Sequence, residues 1–160
     1  MGDISIRPLR EEDRAWANDY IREEWGGTEI VTRGRVHKAE TLPGFVAEES
    51  GRRTGLITYN IYGKECEIIT MNAGEPGKGI GTALLEQVKQ KAVEAKCRGI
   101  WLITTNDNLD AMRFYQLKGF LFVAVHRDAI KAARRLKPSI PEQGFYGIPI
   151  RDEIELVLPL

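Results

Sequence analysis

The chain has few of the residue types that form covalent or metal cross-links. Among its 160 residues there are two cysteines, Cys66 and Cys97, and two histidines, His37 and His126. The cysteines are far apart in a chain with no recognisable export signal, so we expect two reduced thiols rather than a disulfide. None of the four side chains lies within ligand spacing of another, so no metal site is expected.

Long apolar segments and an excess of one charge are missing as well. No run approaches the roughly 18 apolar residues that a membrane-spanning helix needs. Residues 1–5 lack the basic and apolar segments of a secretory signal. We therefore expect a cytoplasmic protein without a membrane partner. Lysine plus arginine and aspartate plus glutamate number 23 each, and this balance argues against nucleic-acid binding, which usually needs a basic excess.

What is present is the composition of an ordinary globular protein. Apolar residues make up 42% of the chain and charged residues 29%. A chain of 160 residues can bury a core without a disulfide or a metal, so residues 1–160 are expected to form a single domain.

Hydrophobic patterns predict a mixed series of strands and helices. Hairpin-linked strands come first and a strand–helix–strand–helix–strand series follows, which predicts an α/β (α+β) sheet with helices on both faces. The segment 28–44 gives no clear pattern beyond a short helix near residues 36–40. The predicted strands are 3–9, 45–48, 55–62, 65–72, 100–105, 120–125 and 153–158, and the predicted helices are 13–24, 80–96, 109–118 and 128–136.

A glycine-rich turn precedes the longest predicted helix. Residues 75–82 read Glu-Pro-Gly-Lys-Gly-Ile-Gly-Thr. The first amides of a helix have no intrahelical partner, and glycines let an anion approach them closely. The spacing fits neither a Walker A loop nor the dinucleotide fingerprint. It favours a phosphate or pyrophosphate site to which Lys78 adds a charge, with a tight turn that binds nothing as the alternative.

Residues 104–120 contain a second motif, which follows the fifth predicted strand. Asn108 and Tyr115 are seven residues apart, which is about two helical turns, so both side chains lie on one face of the helix. Ala111 is small and shares that face, where a groove could pass. Taken alone, the pattern favours a capping Asn108 and a packing Tyr115.

Together these segments resemble the GNAT superfamily of acyl-CoA-dependent N-acetyltransferases. The resemblance rests on residues 6–13 (Ile-Arg-Pro-Leu-Arg-Glu-Glu-Asp), the turn 77–82, and the pattern of Asn108, Ala111, Tyr115, Gly119 and Phe120, in this order. It implies a GNAT-like, mostly antiparallel seven-stranded sheet that splays between its fourth and fifth strands, with acetyl-CoA as acyl donor. Pro76 stands where the family usually has Arg or Gln, so one side-chain contact to the pyrophosphate is missing.

The resemblance also implies roles for individual residues. Tyr115 would lie beside the sulfur and protonate the departing thiolate as general acid, since a phenol with a pKa of about 10 stays protonated at pH 7. Glu67, a carboxylate inside an apolar strand, is the predicted general base, with Glu65, His126 or a water as alternatives. The predicted cofactor contacts are Met71, Asn72, Gly77, Lys78, Gly79, Ile80, Gly81, Thr82 and Asn108.

The resemblance implies an N-acetyltransferase that moves an acetyl group directly from acetyl-CoA to a primary amine of a small molecule or peptide. The alternative is a non-catalytic coenzyme A-binding sensor or subunit. The acceptor, the acyl chain preference and a homodimer are left open by the sequence. Loop 138–150 exceeds the usual connection length, and a functional lid is one hypothesis for it. Candidate residues near the acceptor are Trp25, His37, Phe145 and Tyr146.

Overall fold

Nine strands and four helices occur in the computed structural model, which describes residues 3–160. The strands are β1 (Ile4–Pro8), β2 (Glu29–Thr32), β3 (Arg35–Lys38), β4 (Gly44–Glu49), β5 (Arg52–Tyr62), β6 (Glu65–Asn72), β7 (Gly99–Thr105), β8 (Leu121–His126) and β9 (Glu153–Pro159). The helices are α1 (Arg14–Trp25), α2 (Ile80–Glu94), α3 (Leu109–Leu117) and α4 (Ala129–Leu136).

Seven of the strands form the main sheet, in the order β1-β4-β5-β6-β7-β9-β8, and β2 and β3 form a separate hairpin. Neighbours in the main sheet are antiparallel except β6 and β7, which are parallel and are connected through α2. A helical crossover is the usual way to join parallel strands. The predicted mixed, mostly antiparallel sheet of seven strands is confirmed.

Alternation along the strands divides the core into two layers. In β4, Phe45 and Ala47 pack in a cluster with Leu84 of α2, whereas Val46 packs in a second cluster with Ala17 of α1. Successive side chains of a strand point to opposite faces, so the helices cover both faces of the sheet. We refer to these as the α2 face, which α3 also covers, and the α1 face, which carries the hairpin.

β6 and β7 pair along only part of their length. Their parallel register runs from Glu65 opposite Gly99 to Ile68 opposite Leu102. Beyond Ile68 the two strands form no further pairs within the described residues, so their carboxyl ends diverge. This opening is the predicted splay, and it points toward the start of α2.

The short helix predicted at residues 36–40 is wrong. That segment is strand β3 followed by a 3₁₀ turn at Ala39–Thr41. Arg33 and Gly34, with φ of 49° and 75°, form the turn between β2 and β3. The β-branched run that ends at Thr32 favours a strand, and Ile30 is buried against α1. The local pattern of this segment is weak, and its burial against α1 therefore determines that it forms strands rather than a helix.

Loop 138–150 is held at both ends. The guanidinium group of Arg134 donates hydrogen bonds to the carbonyls of Ile140 and Ile150, at 3.4 and 3.0 Å. Asp107, which is 2% exposed, accepts a hydrogen bond of 2.9 Å from the amide of Phe145. The Arg134 contacts hold the two ends of the loop against α4, and the Asp107 contact holds its middle beside the start of α3. None of the described helices is long and apolar enough to cross a bilayer.

Candidate active site

The glycine turn carries the chain from β6 into α2. Gly77 and Gly79 have positive φ, 85° and 77°, and a Cβ at either position would meet nothing within 4 Å. The amide of Ala83 donates to the carbonyl of Gly79 at 3.1 Å, and the amides of residues 80–82 precede this first helical bond. An anion can therefore approach amides that carry the positive end of the helix dipole.

Gly81 and Lys78 have roles that differ from those of the other turn residues. A Cβ on Gly81 would lie 3.3 Å from the ring of Phe114, so this glycine lets α2 and α3 approach each other. The Nζ atom of Lys78 is 3.1 Å from Glu49 and 3.2 Å from Glu75, and these hydrogen bonds raise its pKa. The two carboxylates more than offset the single charge of Lys78, so the positive potential of the turn comes from its amides.

Tyr115 is buried on the α2 face, where it is 5% exposed. Its ring packs edge-on against Phe114 and Phe120, at centroid distances of 5.2 and 5.1 Å. Its hydroxyl donates to the sulfur of Met71 at 3.7 Å, on the part of β6 that has separated from β7. Burial raises the pKa of Tyr115, so the phenol keeps its proton at neutral pH.

An asparagine lies at the end of β6 and another at the start of α3. The side-chain oxygen of Asn72 accepts hydrogen bonds from the Tyr20 hydroxyl at 2.7 Å and from the Gly74 amide at 3.3 Å. This contact ties α1 to the end of β6. Asn108 is the N-cap of α3, and its oxygen accepts a hydrogen bond from the Ala111 amide at 3.3 Å. The capping role that the pattern favours for Asn108 is therefore present.

Glu67 lies in the middle of β6 and is fully buried, at 0% exposed. Its Oε2 accepts a hydrogen bond of 2.7 Å from the Thr32 hydroxyl, whose oxygen is 2.8 Å from Nε2 of His37. A hydroxyl has one hydrogen, and here it goes to Glu67, so His37 donates through Nε2 to Thr32. The Tyr62 hydroxyl donates to the other carboxyl oxygen at 3.4 Å.

The surroundings of Glu67 raise its pKa to about 7, because burial outweighs the hydrogen bonds from Thr32 and Tyr62 and the nearby charges of Arg35 and Arg33. A carboxyl group with this pKa both gains and loses a proton near neutral pH, which suits a general base. Burial lowers the pKa of the neighbouring His37, and His37 therefore carries no charge at neutral pH.

A β-bulge in β6 places two predicted site residues on opposite faces. Thr58 of β5 pairs with Thr70 and the next residue, Tyr59, pairs with Ile68, so Ile69 is an extra residue. In a regular strand Glu67 and Met71 would share a face. Instead, Glu67 points to the hairpin on the α1 face and Met71 packs with the α2-face cluster.

A cavity of about 590 Å³ lies on the hairpin side of the sheet. The Arg33 guanidinium is 5.6 Å from the centre of the Trp101 ring, and that of Arg35 is 5.0 Å from the centre of the Tyr62 ring. The alternative base Glu65 is exposed on the rim. The residues that line the cavity are Arg33, Arg35, Tyr62, Glu65, Trp101, Val123, Glu155 and Val157.

The residues proposed for the acceptor side do not form one group. His37 is buried beside Thr32. Phe145 and Tyr146 are 59% and 69% exposed on the loop over α3, where the Tyr146 hydroxyl donates to Asp110 at 2.8 Å. Trp25 is 39% exposed at the end of α1. In residues 3–160, no three His, Cys, Asp or Glu side chains are grouped as metal ligands would be.

The glycine turn, the bulged strand and Tyr115 all fall inside a match to a known family. Residues 6–120 match the model of the acetyltransferase (GNAT) family. The chain belongs to this family. As a GNAT acetyltransferase, the protein is an acyltransferase, and acetyl transfer is its general chemistry.

Relatives of this GNAT acetyltransferase match nearly the whole chain. It is 48% identical over 150 residues to the Bacillus subtilis protein YdhI, with 93% of this chain and 94% of YdhI covered. An IAA acetyltransferase from Bacillus cereus has the same fold, with a TM-score of 0.73, 22% identity and coverage of 99% of this chain and 100% of that one. A GNAT family acetyltransferase from Elizabethkingia anophelis, solved with acetyl-CoA bound, has a TM-score of 0.68, 20% identity and 98% coverage of both chains.

Proposed function

We propose that this GNAT acetyltransferase moves an acetyl group from acetyl-CoA directly to a primary amine of a small molecule or peptide. The observation that carries the proposal is the pair of groups on either side of the bulged β6. Tyr115 offers a buried, protonated hydroxyl on the α2 face, and Glu67 offers a buried carboxyl with a pKa of about 7 on the α1 face. Amide formation from a thioester needs a protonated acid for the leaving sulfur and a base for the amine, and these two groups can supply them.

The residues present fit acetyl-CoA, which supplies a thioester as acyl donor. The open space around Gly77 and Gly79 leaves room for a diphosphate against the amides that begin α2. Pro76 has no side-chain donor, so these amides are the main pyrophosphate contacts. The separated ends of β6 and β7 provide a slot for an extended arm. The proposed contacts are Met71, Asn72, Gly77, Lys78, Gly79, Ile80, Gly81, Thr82 and Asn108.

Glu67 is the proposed base. A lysine-like amine has a pKa near 10.4, so only about one molecule in a thousand is neutral at pH 7. The Glu67 carboxylate, on the α1 face one residue before the parallel pairing ends, accepts the proton that the amine must lose. Glu67 fits this role better than Glu65 or His126, because it is fully buried where the parallel pairing ends, while Glu65 is exposed and His126 forms a 2.9 Å contact with Glu155.

Tyr115 is the proposed acid. Once Glu67 has taken the proton of the ammonium form, the neutral amine attacks the thioester carbon. As the new C–N bond forms and the C–S bond breaks, Tyr115 gives its proton to the sulfur, and the second proton of the attacking nitrogen restores the Tyr115 phenol. Glu67 releases its proton to solvent. The buried hydroxyl of Tyr115 contacts the sulfur of Met71 on the open end of β6, and this contact supports a position near the sulfur of a thioester bound in the splay.

The test is release of free thiol from acetyl-CoA in the presence of a panel of primary amines, each compared with the same assay without an amine. We expect amine-dependent release and an acetylated product that neutral hydroxylamine does not cleave, as an amide resists this reagent and an ester does not. Coenzyme A binding without thiol release for any amine would contradict the proposal and would instead indicate a non-catalytic sensor.

A further inference from the structure

Glu67 must release in every turnover the proton that it takes from the amine, although its carboxyl group is 0% exposed. Within residues 3–160, its oxygens have three polar side chains as neighbours: the Thr32 hydroxyl, the His37 ring and the Tyr62 hydroxyl. A proton moves only between groups within hydrogen-bond reach of each other. The base is therefore regenerated through whichever of these neighbours also reaches water.

Thr32 and His37 do not provide this connection. They are 5% and 8% exposed, and their hydrogen bonds run in the wrong direction. The hydrogen of the Thr32 hydroxyl goes to Glu67, and Nε2 of His37 donates to Thr32. A proton passed on through Thr32 would arrive at a nitrogen that already carries one. Burial also lowers the pKa of His37, which opposes a doubly protonated ring.

Tyr62 both contacts the carboxyl group and lines the hairpin-side cavity of about 590 Å³. Its hydroxyl donates to Oε1 of Glu67 at 3.4 Å. Its ring packs edge-on against Trp101 at a centroid distance of 6.5 Å, and the Arg35 guanidinium lies 5.0 Å from its centre. A water molecule occupies about 30 Å³ in the liquid, so the cavity has room for on the order of ten or more. One side chain thus joins the buried carboxyl to a space large enough for water.

This cavity and the splay lie toward opposite ends of β6. The splay begins after Ile68, toward the carboxyl end of the strand. The cavity borders Glu65, at its amino end, and Glu67 lies between the two. A proton that leaves through the cavity does not pass through the splay. Glu67 can therefore be regenerated while coenzyme A still occupies the splay.

We propose that Tyr62 relays protons from Glu67 to water in the hairpin-side cavity, an inference that rests on the proposed function of Glu67 as base. When Glu67 is protonated, the Tyr62 hydroxyl turns its hydrogen toward the cavity and accepts a hydrogen bond from the carboxyl. The hydrogen of Tyr62 then passes to a water as the proton of Glu67 bonds to the phenol oxygen. The products are a carboxylate, a neutral phenol and a hydronium ion that the buffer neutralises.

The surroundings of Tyr62 keep it a neutral phenol between transfers. Burial, together with the nearby charge of Glu67, raises its pKa to about 12. The phenol therefore donates a proton only as it receives one. The charged and titratable groups that face the two side chains are His37, Arg33 and Arg35 of the hairpin and Glu65 of β6.

The first experiment needs no substrate and follows the carbon-13 resonance of the Glu67 carboxyl through its titration. In the wild type, fast exchange with solvent should give one averaged line that moves with pH. In Tyr62→Phe, slow exchange should broaden this line or split it into separate lines for the protonated and ionised forms. Thr32→Val is the matched control, because it removes the other hydroxyl bound to the carboxyl, and it should keep one averaged line.

The second experiment measures kcat on the plateau of each variant's pH profile, so that a shifted pKa of Glu67 does not enter. Tyr62→Phe should lower kcat about 10²-fold, the lower end of the range for proton-transfer groups. Tyr62→Ala should be equally slow and should regain activity with added phenol. Toluene fills the same space without a hydroxyl and should not restore it. Cooperative thermal unfolding verifies that each variant folds.

The two experiments separate the relay from the proposed function. One averaged carboxyl line in Tyr62→Phe, a wild-type kcat in that variant, or equal rescue by toluene and phenol would each overturn the relay. A split line in Tyr62→Phe, combined with no amine-dependent thiol release by the wild type, would support the proton connection and contradict the proposed function.

Discussion

At the scale of single residues, the proposed acid can be tested without disturbing the core, because the ring and the hydroxyl of Tyr115 have separate contacts. The ring packs against Phe114 and Phe120, while the hydroxyl contacts the sulfur of Met71. Tyr115→Phe keeps the packing and removes the proton donor. We expect kcat to fall about 10²–10⁴-fold, the usual contribution of an acid–base group, with the free energy of unfolding changed by less than about 1 kcal/mol. Thiol-release kinetics and urea unfolding measure the two quantities.

Tyr59→Phe is the control for this substitution. Tyr59 is 8% exposed and belongs to the same core cluster on the α2 face, so the variant removes a buried tyrosine hydroxyl outside the proposed chemistry. Its kcat should equal that of the wild type. If Tyr115→Phe also keeps the wild-type kcat, Tyr115 is not the general acid.

The Thr32 hydroxyl tests how Glu67 is held. Glu67 must be ionised to accept a proton, so kcat/KM should rise with pH through its pKa of about 7. The hydrogen bond from Thr32 stabilises the carboxylate and lowers that pKa. Thr32→Val removes the bond, and the rise in kcat/KM should move about 1–2 pH units higher, since one pKa unit is about 1.4 kcal/mol and a hydrogen bond to a charge contributes about 1.5–3 kcal/mol.

Two measurements make this prediction specific. The pH profile of kcat/KM should be restored by Thr32→Ser, which keeps the hydroxyl. Carbon-13 NMR of the Glu67 carboxyl, assigned with Glu67→Gln, reports the same pKa without any turnover. An unchanged profile and an unchanged carboxyl titration in Thr32→Val would show that Thr32 does not set the protonation of Glu67.

At the scale of elements, the glycine turn and α2 form one unit for binding an anion. Gly79→Asp places a carboxylate in the open space in front of the helix amides, where it opposes a phosphate. We expect the Kd for coenzyme A to rise about tenfold or more, equivalent to about 1.4 kcal/mol. Isothermal titration calorimetry measures this change.

Gly63→Asp is the matched control for the turn. Gly63 has a φ of 61° and nothing within 4 Å of a built Cβ, as Gly79 does, but it lies in the turn between β5 and β6. The strain of an aspartate at positive φ is therefore similar, while the charge is not in front of α2. Equal affinities of the two variants for coenzyme A would contradict the assignment of the turn.

The elements that the sequence predicted are those whose signals are local. The buried stripe of α2, the glycine turn and the alternation of β4 and β5 each need only neighbouring residues to be recognised. The β2–β3 hairpin was missed because charged residues interrupt its short strands, and its order comes from packing against α1. Its β-branched run before Arg33-Gly34 was the available signal for a strand and a tight turn.

The candidate site also contains some residues that local motifs identify and others that only the assembled sheet brings together. Tyr115 and the glycine turn belong to motifs that can be read along the chain, and Glu67 stood out as a carboxylate in an apolar strand. Its partner Thr32 is 35 residues away, and His37 lies on the strand that was predicted as a helix. The residue composition of β6 gives no signal for the bulge at Ile69. Such features depend on the register between strands and therefore appear only once the sheet is assembled.

At the scale of the whole molecule, β6 and β7 have the fewest paired residues of any two neighbouring strands in the main sheet. Four residue pairs join these strands, compared with seven between β7 and β9. Coenzyme A bound in the splay would touch both sides of this junction. At 100 times its Kd it should stabilise the protein by about 2.7 kcal/mol and raise the Tm by about 5–10 °C, which differential scanning fluorimetry measures.

The location of this stabilisation distinguishes the splay from other binding modes. If coenzyme A lies between the separated strands, amide hydrogen exchange should slow in residues 69–72 of β6 and also in residues 103–105 of β7, which are on opposite sides of the opening. A ligand held by the glycine turn alone would slow exchange at the start of α2 and leave β7 unchanged. Protection confined to α2 would therefore contradict the splay as the binding slot, even if the Tm rises, because mass action raises the Tm for a ligand bound anywhere on the folded protein.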